Sequence, residues 1–170
     1  LIIGHVGSFT NAKNHSYLLK VFANMLKHKA DCVLVLIGMG ELQHKIELEI
    51  KDLGIQDNVR VLGVRSDIAQ LLQIIDVFVF PSFYEGLPVT LIEAQAAGLK
   101  IIASDSITRE VQLTDDIEFI SIHKPTKFWV DAILKKVPYR KQNNLNRIID
   151  GDYDIISNTE KIQNFYLNNK

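Results

Sequence analysis

Two glutamates and a lysine are the residues of this sequence whose types and spacing could act on a charged ligand. Glu85 lies in a polar loop of the segment FPSFYEGLPVTLIEAQAAG, and Glu93 follows inside a pattern typical of a helix. Lys13 lies in the loop GSFTNAKNH, just before another helical pattern. A carboxylate in a packed helix must reach solvent or a polar partner, because burying an unpaired charge is costly. These three side chains are therefore the first candidates for a binding site.

The helix after Glu85 should offer hydrogen-bond donors to an anion. Pro88 near its first position leaves the amides around Val89 and Thr90 free. Because helical side chains lean toward the N-terminus, Glu93 is expected to project back toward Glu85. Two carboxylates cannot bind a phosphate between them, but they can accept hydrogen bonds from hydroxyl groups on either side of it. A diphosphate with a sugar at each end has this shape; a capping glutamate plus a surface glutamate explains the pattern equally well.

Two loops that follow predicted strands give weaker signals. Lys13 precedes helix-start amides near Asn14, which suits a phosphate, although a solvated loop lysine is the simpler explanation. Gly38 and Gly40 repeat only the first half of the dinucleotide-binding pattern, because Gln43 occupies the third glycine position. NAD binding therefore has little support.

The hydrophobic pattern predicts the elements that hold these residues. Six short apolar runs predict strands, and they cover 2–7, 32–38, 58–63, 76–82, 100–105 and 117–122. Helical periodicity fills the segments between them through about residue 135. This alternation predicts a Rossmann-like, doubly wound parallel α/β sheet of about six strands. Ligands bind such sheets at the carboxyl ends of the strands, where the strand order reverses.

The predicted helices have defined faces and ends. In 15–29, one apolar stripe consists of Leu18, Leu19, Phe22, Met25 and Leu26. Gly54 is predicted to end the following helix, and Ser66 is predicted to cap the next one. The segment 158–170 is predicted to form a terminal helix.

Composition and charge limit the class of protein. The 170 residues are 47% hydrophobic and 23% charged, which suits one globular domain. A net charge of −1 argues against a nucleic-acid partner. Cys32 lies in an apolar run, so we expect a buried thiol. Because it is the single cysteine of the sequence, no disulfide can form within the chain, and we expect a reducing compartment. The chain opens on LIIGHVGS, with a strand almost at once, which we interpret as the start of a domain cut from a longer protein.

The segment EGLPVTLIEAQAAG resembles the E-x7-E signature of the glycosyltransferase family 4 enzymes, a retaining group with the two-domain GT-B fold. The resemblance extends to DVFVFPS and GVRSDIAQLLQIID before it and to SDSITREV after it, and it covers roughly residues 1–135. Bacterial capsule and exopolysaccharide glycosyltransferases are the most similar group. The resemblance implies that residues 1–170 form a single C-terminal donor-binding domain, the C-terminal half of a GT-B fold, with the N-terminal acceptor domain absent from the chain.

The resemblance also implies a role for each candidate residue. Glu85 would bind hydroxyls of the donor sugar near the anomeric carbon, and Glu93 would hold the nucleotide ribose. Lys13 would be the cation of the diphosphate and, with Glu85, a catalytic residue. The other donor contacts would come from Gly7, Ser8, Gly63, Val64, Gly86, Leu87, Val89 and Thr90. Of these, Gly63 and Val64 would lie beside the base, and the amides near Leu87, Val89 and Thr90 would meet the diphosphate.

The implied reaction is transfer of a hexose-type sugar from a nucleotide sugar, with UDP-sugar as the expected donor. The acceptor would be a glycan or a lipid-linked glycan in surface polysaccharide synthesis, bound through the missing N-terminal domain. The setting would be the cytoplasm, at the inner face of the membrane. The basic run KKVPYRK at 135–141 could contact anionic lipid, although such a run is more often a solvated face.

No cofactor and no metal ion are expected. The five histidines are scattered without H-x-x-x-H spacing. The run DYD at 152–154 resembles the D-x-D metal motif of a different glycosyltransferase fold. It follows no predicted strand, so we expect a loop with a helix cap.

One position departs from the family pattern, in which an arginine usually follows the glycine of the first strand. This sequence has Ser8 there. One of two phosphate cations is then missing unless Arg65 or Arg109 substitutes. A degenerate, non-catalytic module that binds a nucleotide sugar is therefore an alternative to the enzyme. A GT-B sugar-nucleotide epimerase is a further alternative, against which the E-x7-E spacing argues.

Overall fold

Strands and helices alternate through residue 136, as the hydrophobic pattern predicts. The computed structural model describes residues 1–168. The strands are β1 (Ile2–Val6), β2 (Val33–Ile37), β3 (Val59–Val61), β4 (Val77–Phe80), β5 (Lys100–Ser104) and β6 (Ile117–Ile120). The helices are α1 (His15–Leu26), α2 (Gln43–Asp52), α3 (Ile68–Ile74), α4 (Val89–Ala96), α5 (Thr126–Lys136), α6 (Leu145–Asp150) and α7 (Ile155–Asn168). Short 3-10 turns precede α1 at Asn11–Lys13, β3 at Gln56–Asn58 and β6 at Arg109–Val111.

The six strands form one parallel sheet in the order β3-β2-β1-β4-β5-β6. The prediction of a doubly wound parallel sheet is confirmed. The strand order reverses between β1 and β4, where Ile3 pairs with Val77 and Gly4 with Phe78. The loops that leave the carboxyl ends of these two strands therefore flank the crevice in which such folds bind ligands.

Helices cover both faces of the sheet, so the strands are buried on both sides. One core lies under α1, α2 and α5, and its largest buried side chains include Leu19, Phe22, Met25, Leu34, Leu36 and Trp129. The other lies under α3 and α4, and it includes Leu72, Phe78, Phe80, Leu91 and Ile101. This double burial explains why the strands are continuous apolar runs rather than alternating ones. Cys32 is fully buried, as predicted.

The structure confirms some predicted helix ends and corrects one. Gly54 adopts a left-handed φ of 66° just after α2, which is the usual conformation of a helix-terminating glycine. The prediction that Ser66 caps α3 is wrong, because α3 begins at Ile68 and Asp67 occupies the capping position. Pro88 is the cap residue of α4, one position before its first helical residue.

Between Pro138 and Asn168, the chain contains only helices and loops, as predicted. The terminal helix α7 begins at Ile155, and the last two positions of the predicted helix, 169 and 170, lie outside the described residues. The DYD run lies before this helix, and the Asp154 Oδ2 accepts a hydrogen bond of 2.8 Å from the Ser157 amide. The prediction of a loop with a helix cap is therefore confirmed. Among residues 1–168, no helix is long and apolar enough to cross a membrane.

Candidate functional site

Two loops meet at the switch point and are joined by hydrogen bonds. The loop after β1 turns through Asn11–Lys13, and Asn14 adopts a left-handed φ of 54° before α1 begins. The Asn14 side chain donates to the carbonyl of Pro81, at the end of β4, over 3.1 Å. The Phe83 amide donates to the carbonyl of Ala12 over 2.8 Å. These bonds bring the loop that carries Lys13 against the loop that carries Glu85.

Lys13 and Glu85, separated by 72 positions in the sequence, form an ion pair. The Lys13 Nζ lies 2.7 Å from the Glu85 Oε1, and only 16% and 13% of the two side chains are exposed. The ammonium also lies 4.9 Å from the centre of the Phe80 ring, a cation–π contact. The absence of a side chain at Gly7 leaves room for the lysine stem, since a Cβ there would lie 3.1 Å from Lys13 Cδ and Cε.

The start of α4 follows Glu85 closely in the sequence and presents free backbone amides. Val89 and Thr90 are its first two residues, and the first amides of a helix have no carbonyl partner within the helix. The hydroxyls of Ser82 and Thr90 are buried, and neither has a hydrogen-bond partner among the described residues. Unpaired buried polar groups are rare in folded proteins, and they often mark the place of a water or a ligand. Gly86 and Leu87 are exposed in the loop before α4, and Val89 is exposed at the first position of the helix.

A cavity of about 270 Å³ lies beside the first strand end, and we call it the strand-end cavity. Its lining includes Gly7, Ser8, Gly38, Val64, Arg65 and Ile68. Gly63, the residue before Val64, has a left-handed φ of 66°. Gly38 allows the loops after β1 and β2 to approach closely, because a Cβ there would lie 2.1 Å from the Gly7 carbonyl oxygen. The glycines of the IGMGEL segment therefore have a packing role in this fold.

Glu93 and Glu85 lie in different surroundings. Glu93 is exposed on α4 and lines a groove of about 270 Å³ between α3 and α4, together with Ala69 and Ala97. The strand-end cavity is lined from α3 by Ile68, and Glu93 is not part of its lining. A common mouth for both glutamates therefore stays a prediction.

The two arginines that could compensate for Ser8 lie in different places. Arg65 lines the strand-end cavity with Ser8, but its guanidinium binds both carboxylate oxygens of Asp67 over 2.8 and 2.7 Å. Arg109 packs over the ring of Phe119 on β6, 3.7 Å from the ring centre. Of the two, only Arg65 is positioned at the candidate site.

A buried histidine pair lies beside the candidate site, and the sequence analysis missed it. His5 and His15 meet edge to face with ring centres 4.7 Å apart, and both are almost fully buried. Burial, followed by the charge of Lys13, lowers the pKa of His15 to about 4. Burial, followed by His15, lowers the pKa of His5 well below its usual value. A histidine inside the apolar strand IIGHV was the available signal.

Among the described residues, no group of three or more histidine, cysteine, aspartate or glutamate side chains could hold a metal ion.

In the basic run at 135–141, Lys136 pairs with Glu118 over 2.8 Å. Lys141 donates to the carbonyls of Leu72 and Gln73 over 3.0 and 2.6 Å. Two of the four cations in this run are therefore bound within the protein.

The fold and this arrangement define a Rossmann-like α/β domain whose candidate ligand site lies at the switch point of the sheet. The family described as "Glycosyl transferases group 1" matches residues 1–149. The chain belongs to this family.

Two relatives illustrate the similarity in sequence. EpsF of Bacillus subtilis (strain 168), assigned as a glycosyltransferase, is 43% identical over 136 residues, which are 79% of this chain and 35% of EpsF. The UDP-Gal:alpha-D-GlcNAc-diphosphoundecaprenol alpha-1,3-galactosyltransferase of Escherichia coli is 27% identical over 95% of this chain and 44% of its own length. The chain thus spans less than half of each relative.

Two solved structures illustrate the similarity in fold. A point mutant of TarM from S. aureus, in complex with fondaparinux, alpha-GlcNAc-glycerol and UDP, has a TM-score of 0.83 and 24% identity. The match covers 96% of this chain and 34% of TarM. The C-terminal domain of a group 1 glycosyl transferase from Francisella tularensis has a TM-score of 0.72 and 19% identity, over 91% of this chain and 86% of that domain.

Proposed function

We propose that this chain is the C-terminal, nucleotide-sugar-binding domain of a retaining family 4 glycosyltransferase with the GT-B fold. The observation that carries the proposal is the convergence of Lys13 and Glu85 at the switch point, beside the free amides of α4. A cation and helix-start amides suit a diphosphate, and a carboxylate suits sugar hydroxyls. The structural similarity to TarM, solved with UDP, supports UDP as the nucleotide.

We propose a place for each part of the donor. The base would occupy the strand-end cavity beside Gly63 and Val64, and the ribose would reach Glu93 on α4, in the groove between α3 and α4. Lys13 and the amides of Val89 and Thr90 would bind the diphosphate. They would stabilise the charge that develops on the leaving diphosphate as the bond to the anomeric carbon breaks. No side chain with the role of a general base is assigned, and no metal or cofactor is part of the proposal.

The acceptor would bind to a second domain outside this chain. The family relatives are two to three times longer than the segment they share with it. Helix α7 also supports a second domain, because Ile155, Ile162 and Tyr166 are exposed along one of its sides and would offer an apolar surface for docking. The name of the Escherichia coli relative supports transfer of a hexose to a lipid-linked acceptor in the synthesis of a surface glycan. Such an acceptor would place the whole protein at the cytoplasmic face of a membrane.

Membrane contact through the basic run at 135–141 has less support. Its Lys136 and Lys141 are bound within the protein, which leaves Lys135 and Arg140 as its exposed cations. Each basic residue near an anionic surface contributes about 1 kcal/mol, so two residues give weak attachment. Any peripheral attachment would need further contacts.

A degenerate module that binds nucleotide sugars without catalysis is the second candidate function. Ser8 favours it, because no arginine follows Gly7 and the guanidinium of Arg65 is already bound by Asp67. Such a module would bind the diphosphate through Lys13 and the α4 amides without an arginine, and would leave it less well neutralised. Activity of the full-length protein separates the two candidates.

Calorimetric titration with UDP, GDP and ADP tests the proposed function. We expect UDP to bind most tightly, and we expect Lys13→Ala to weaken binding by about 1–3 kcal/mol, since a charge-assisted contact is lost. Lys136→Ala is the matched control, because Lys136 also forms a partly buried ion pair but lies on α5. Failure of all three nucleotides to bind would refute the proposed function. Equal weakening by both substitutions would refute the role of Lys13.

A further inference from the structure

The ion pair between Lys13 and Glu85 joins two charges that the proposed function assigns to different parts of the donor. The ammonium would bind the diphosphate, and the carboxylate would bind hydroxyls of the transferred sugar. In the structure they bind each other over 2.7 Å, and both side chains are more than four-fifths buried. A diphosphate that approaches Lys13 therefore meets a position that a carboxylate already occupies.

Lys13 has two contacts besides the ion pair. Its stem passes beside Gly7, with Cδ and Cε at 3.1 Å from the position of a Cβ, and its ammonium lies over the Phe80 ring. Glu85 lies in a loop whose neighbours Tyr84 and Gly86 are exposed, and a Cβ at Gly86 would meet no atom within 4 Å. No packing contact of the loop at Gly86 with the described residues therefore opposes a shift of Glu85 away from Lys13.

We propose that Glu85 is a specificity-determining residue that competes with the diphosphate for Lys13. This inference rests on the proposed function. When a nucleotide sugar binds, the diphosphate takes Lys13, and the released carboxylate accepts hydrogen bonds from the sugar hydroxyls. A nucleoside diphosphate without a sugar must displace Glu85 but offers the carboxylate no new partner. An unpaired carboxylate beside a diphosphate is unfavourable, because like charges repel and the lost bond is not replaced.

The site would therefore favour the donor over the spent nucleotide. After transfer, the sugar no longer holds Glu85, and the carboxylate returns to Lys13 and promotes release of the nucleoside diphosphate. The competition gives a distinctive expectation, since removing a carboxylate from the binding site should tighten the binding of UDP.

Calorimetry with UDP and with inorganic pyrophosphate tests this competition. We expect Glu85→Gln to tighten UDP binding about tenfold, because Lys13 is freed from a charged competitor. Glu118→Gln is the matched control, since Glu118 pairs with Lys136 over 2.8 Å on another part of the sheet, and it should leave UDP binding unchanged. The same titrations in a Lys13→Met background separate competition from simple repulsion. In that background, the gain from Glu85→Gln should fall to about twofold or less.

The outcomes distinguish this inference from the proposed function. If UDP binds to the natural sequence but Glu85→Gln leaves its affinity unchanged or weakens it, the competition is refuted and the donor site stands. An equal gain with and without Lys13 would also refute the competition, because repulsion alone would then explain it. If neither UDP nor pyrophosphate binds to the natural sequence or to Glu85→Gln, both the donor site and the competition are refuted.

Discussion

At the scale of single residues, the structure separates Glu85 from Glu93. Glu85 is mostly buried and bound by Lys13, whereas Glu93 is exposed in the groove between α3 and α4. The resemblance to the E-x7-E signature had already implied different roles for them, the donor sugar for Glu85 and the ribose for Glu93. Because their surroundings differ, their substitutions should have opposite effects on the binding of UDP.

We expect Glu93→Gln to weaken UDP binding by about 1–2 kcal/mol, since a hydrogen bond from a ribose hydroxyl to a carboxylate would lose its charge. Calorimetry with UDP measures the loss, and 2′-deoxy-UDP should show a smaller difference between the two proteins. Glu47→Gln on α2 is a suitable control, because it removes an exposed helix carboxylate elsewhere. An unchanged affinity would indicate that Glu93 is an ordinary surface residue.

Ser8→Arg should tighten UDP binding by about 1 kcal/mol or more, because an arginine can hold two phosphate oxygens at once. Ser8 is exposed and lines the strand-end cavity, so a longer side chain has space there. The gain should shrink as salt is raised, since the new charge would be partly exposed. If Ser8→Arg has no effect, Arg65→Ala tests whether that arginine already fills the role.

The buried histidine pair predicts how stability depends on pH. His15 has a pKa of about 4 in the folded protein and 6.5 as its ordinary value, so the unfolded chain binds the proton first as the pH falls. The stability that neutral His15 contributes is therefore present above pH 6.5 and is lost between about 6.5 and 4. His5 acts in the same direction.

Between pH 7.5 and pH 5, this loss should be on the order of 1–2 kcal/mol for His15. Urea unfolding at both pH values measures it, and His15→Gln should reduce the difference between them. The exposed residue His123 provides the control His123→Gln, which should leave the difference unchanged. If the loss of stability between pH 7.5 and pH 5 is the same in His15→Gln and in His123→Gln, the pKa of His15 is the same in the folded protein as in the unfolded chain.

At the scale of elements, the candidate site depends on the close approach of the loops after β1, β2 and β4. Gly38 has a φ of 136° and lies against the Gly7 carbonyl, and the Asn14 side chain joins the first loop to the end of β4. None of these contacts involves a ligand-binding side chain directly. They nevertheless determine where Ser8 and Lys13 lie.

We therefore expect Gly38→Ala to destabilise the fold by roughly 2–4 kcal/mol, because a Cβ would collide with backbone and the φ would be strained. Binding of UDP should also weaken in the folded fraction, since the strand-end cavity would change shape. Gly86→Ala is the control for stability, because its Cβ would meet no atom within 4 Å. Thermal unfolding compares the two, and equal melting temperatures would contradict the packing role of Gly38.

At the scale of the whole molecule, residues 1–168 contain a doubly wound sheet with a candidate site at its switch point. The chain spans 35% and 44% of two family relatives, and its terminal helix exposes apolar side chains. Both observations favour a functional unit larger than these 170 residues.

We expect the 170-residue chain alone to fold and bind UDP weakly, but to transfer no sugar. The physical reason is that an acceptor hydroxyl must be held against the anomeric carbon, which accounts for a large part of the rate in such reactions. Incorporation of radiolabelled sugar into a lipid-linked glycan acceptor measures transfer, and the full-length protein is the positive control. Transfer by the chain alone would contradict the two-domain proposal.

The sequence by itself determined the fold class, because local pattern carries that information. Six continuous apolar runs separated by helical stripes are compatible with few arrangements other than a parallel sheet buried on both faces. The end of α2 also followed from a local signal, Gly54. The cap of α3 did not follow from a local signal. Asp67, whose side chain binds Arg65, occupies the capping position, and the helix starts one residue later than a cap at Ser66 would give.

Only the tertiary structure decided which candidate charges meet. Lys13 and Glu85 are 72 positions apart, and their contact depends on two loops joined across adjacent strands. The histidine pair likewise combines β1 with the start of α1. Periodicity in a sequence reports which face of an element is buried, but it does not report which polar groups face each other across loops. Those pairings arise from long-range packing, and at this candidate site they pair Lys13 with Glu85.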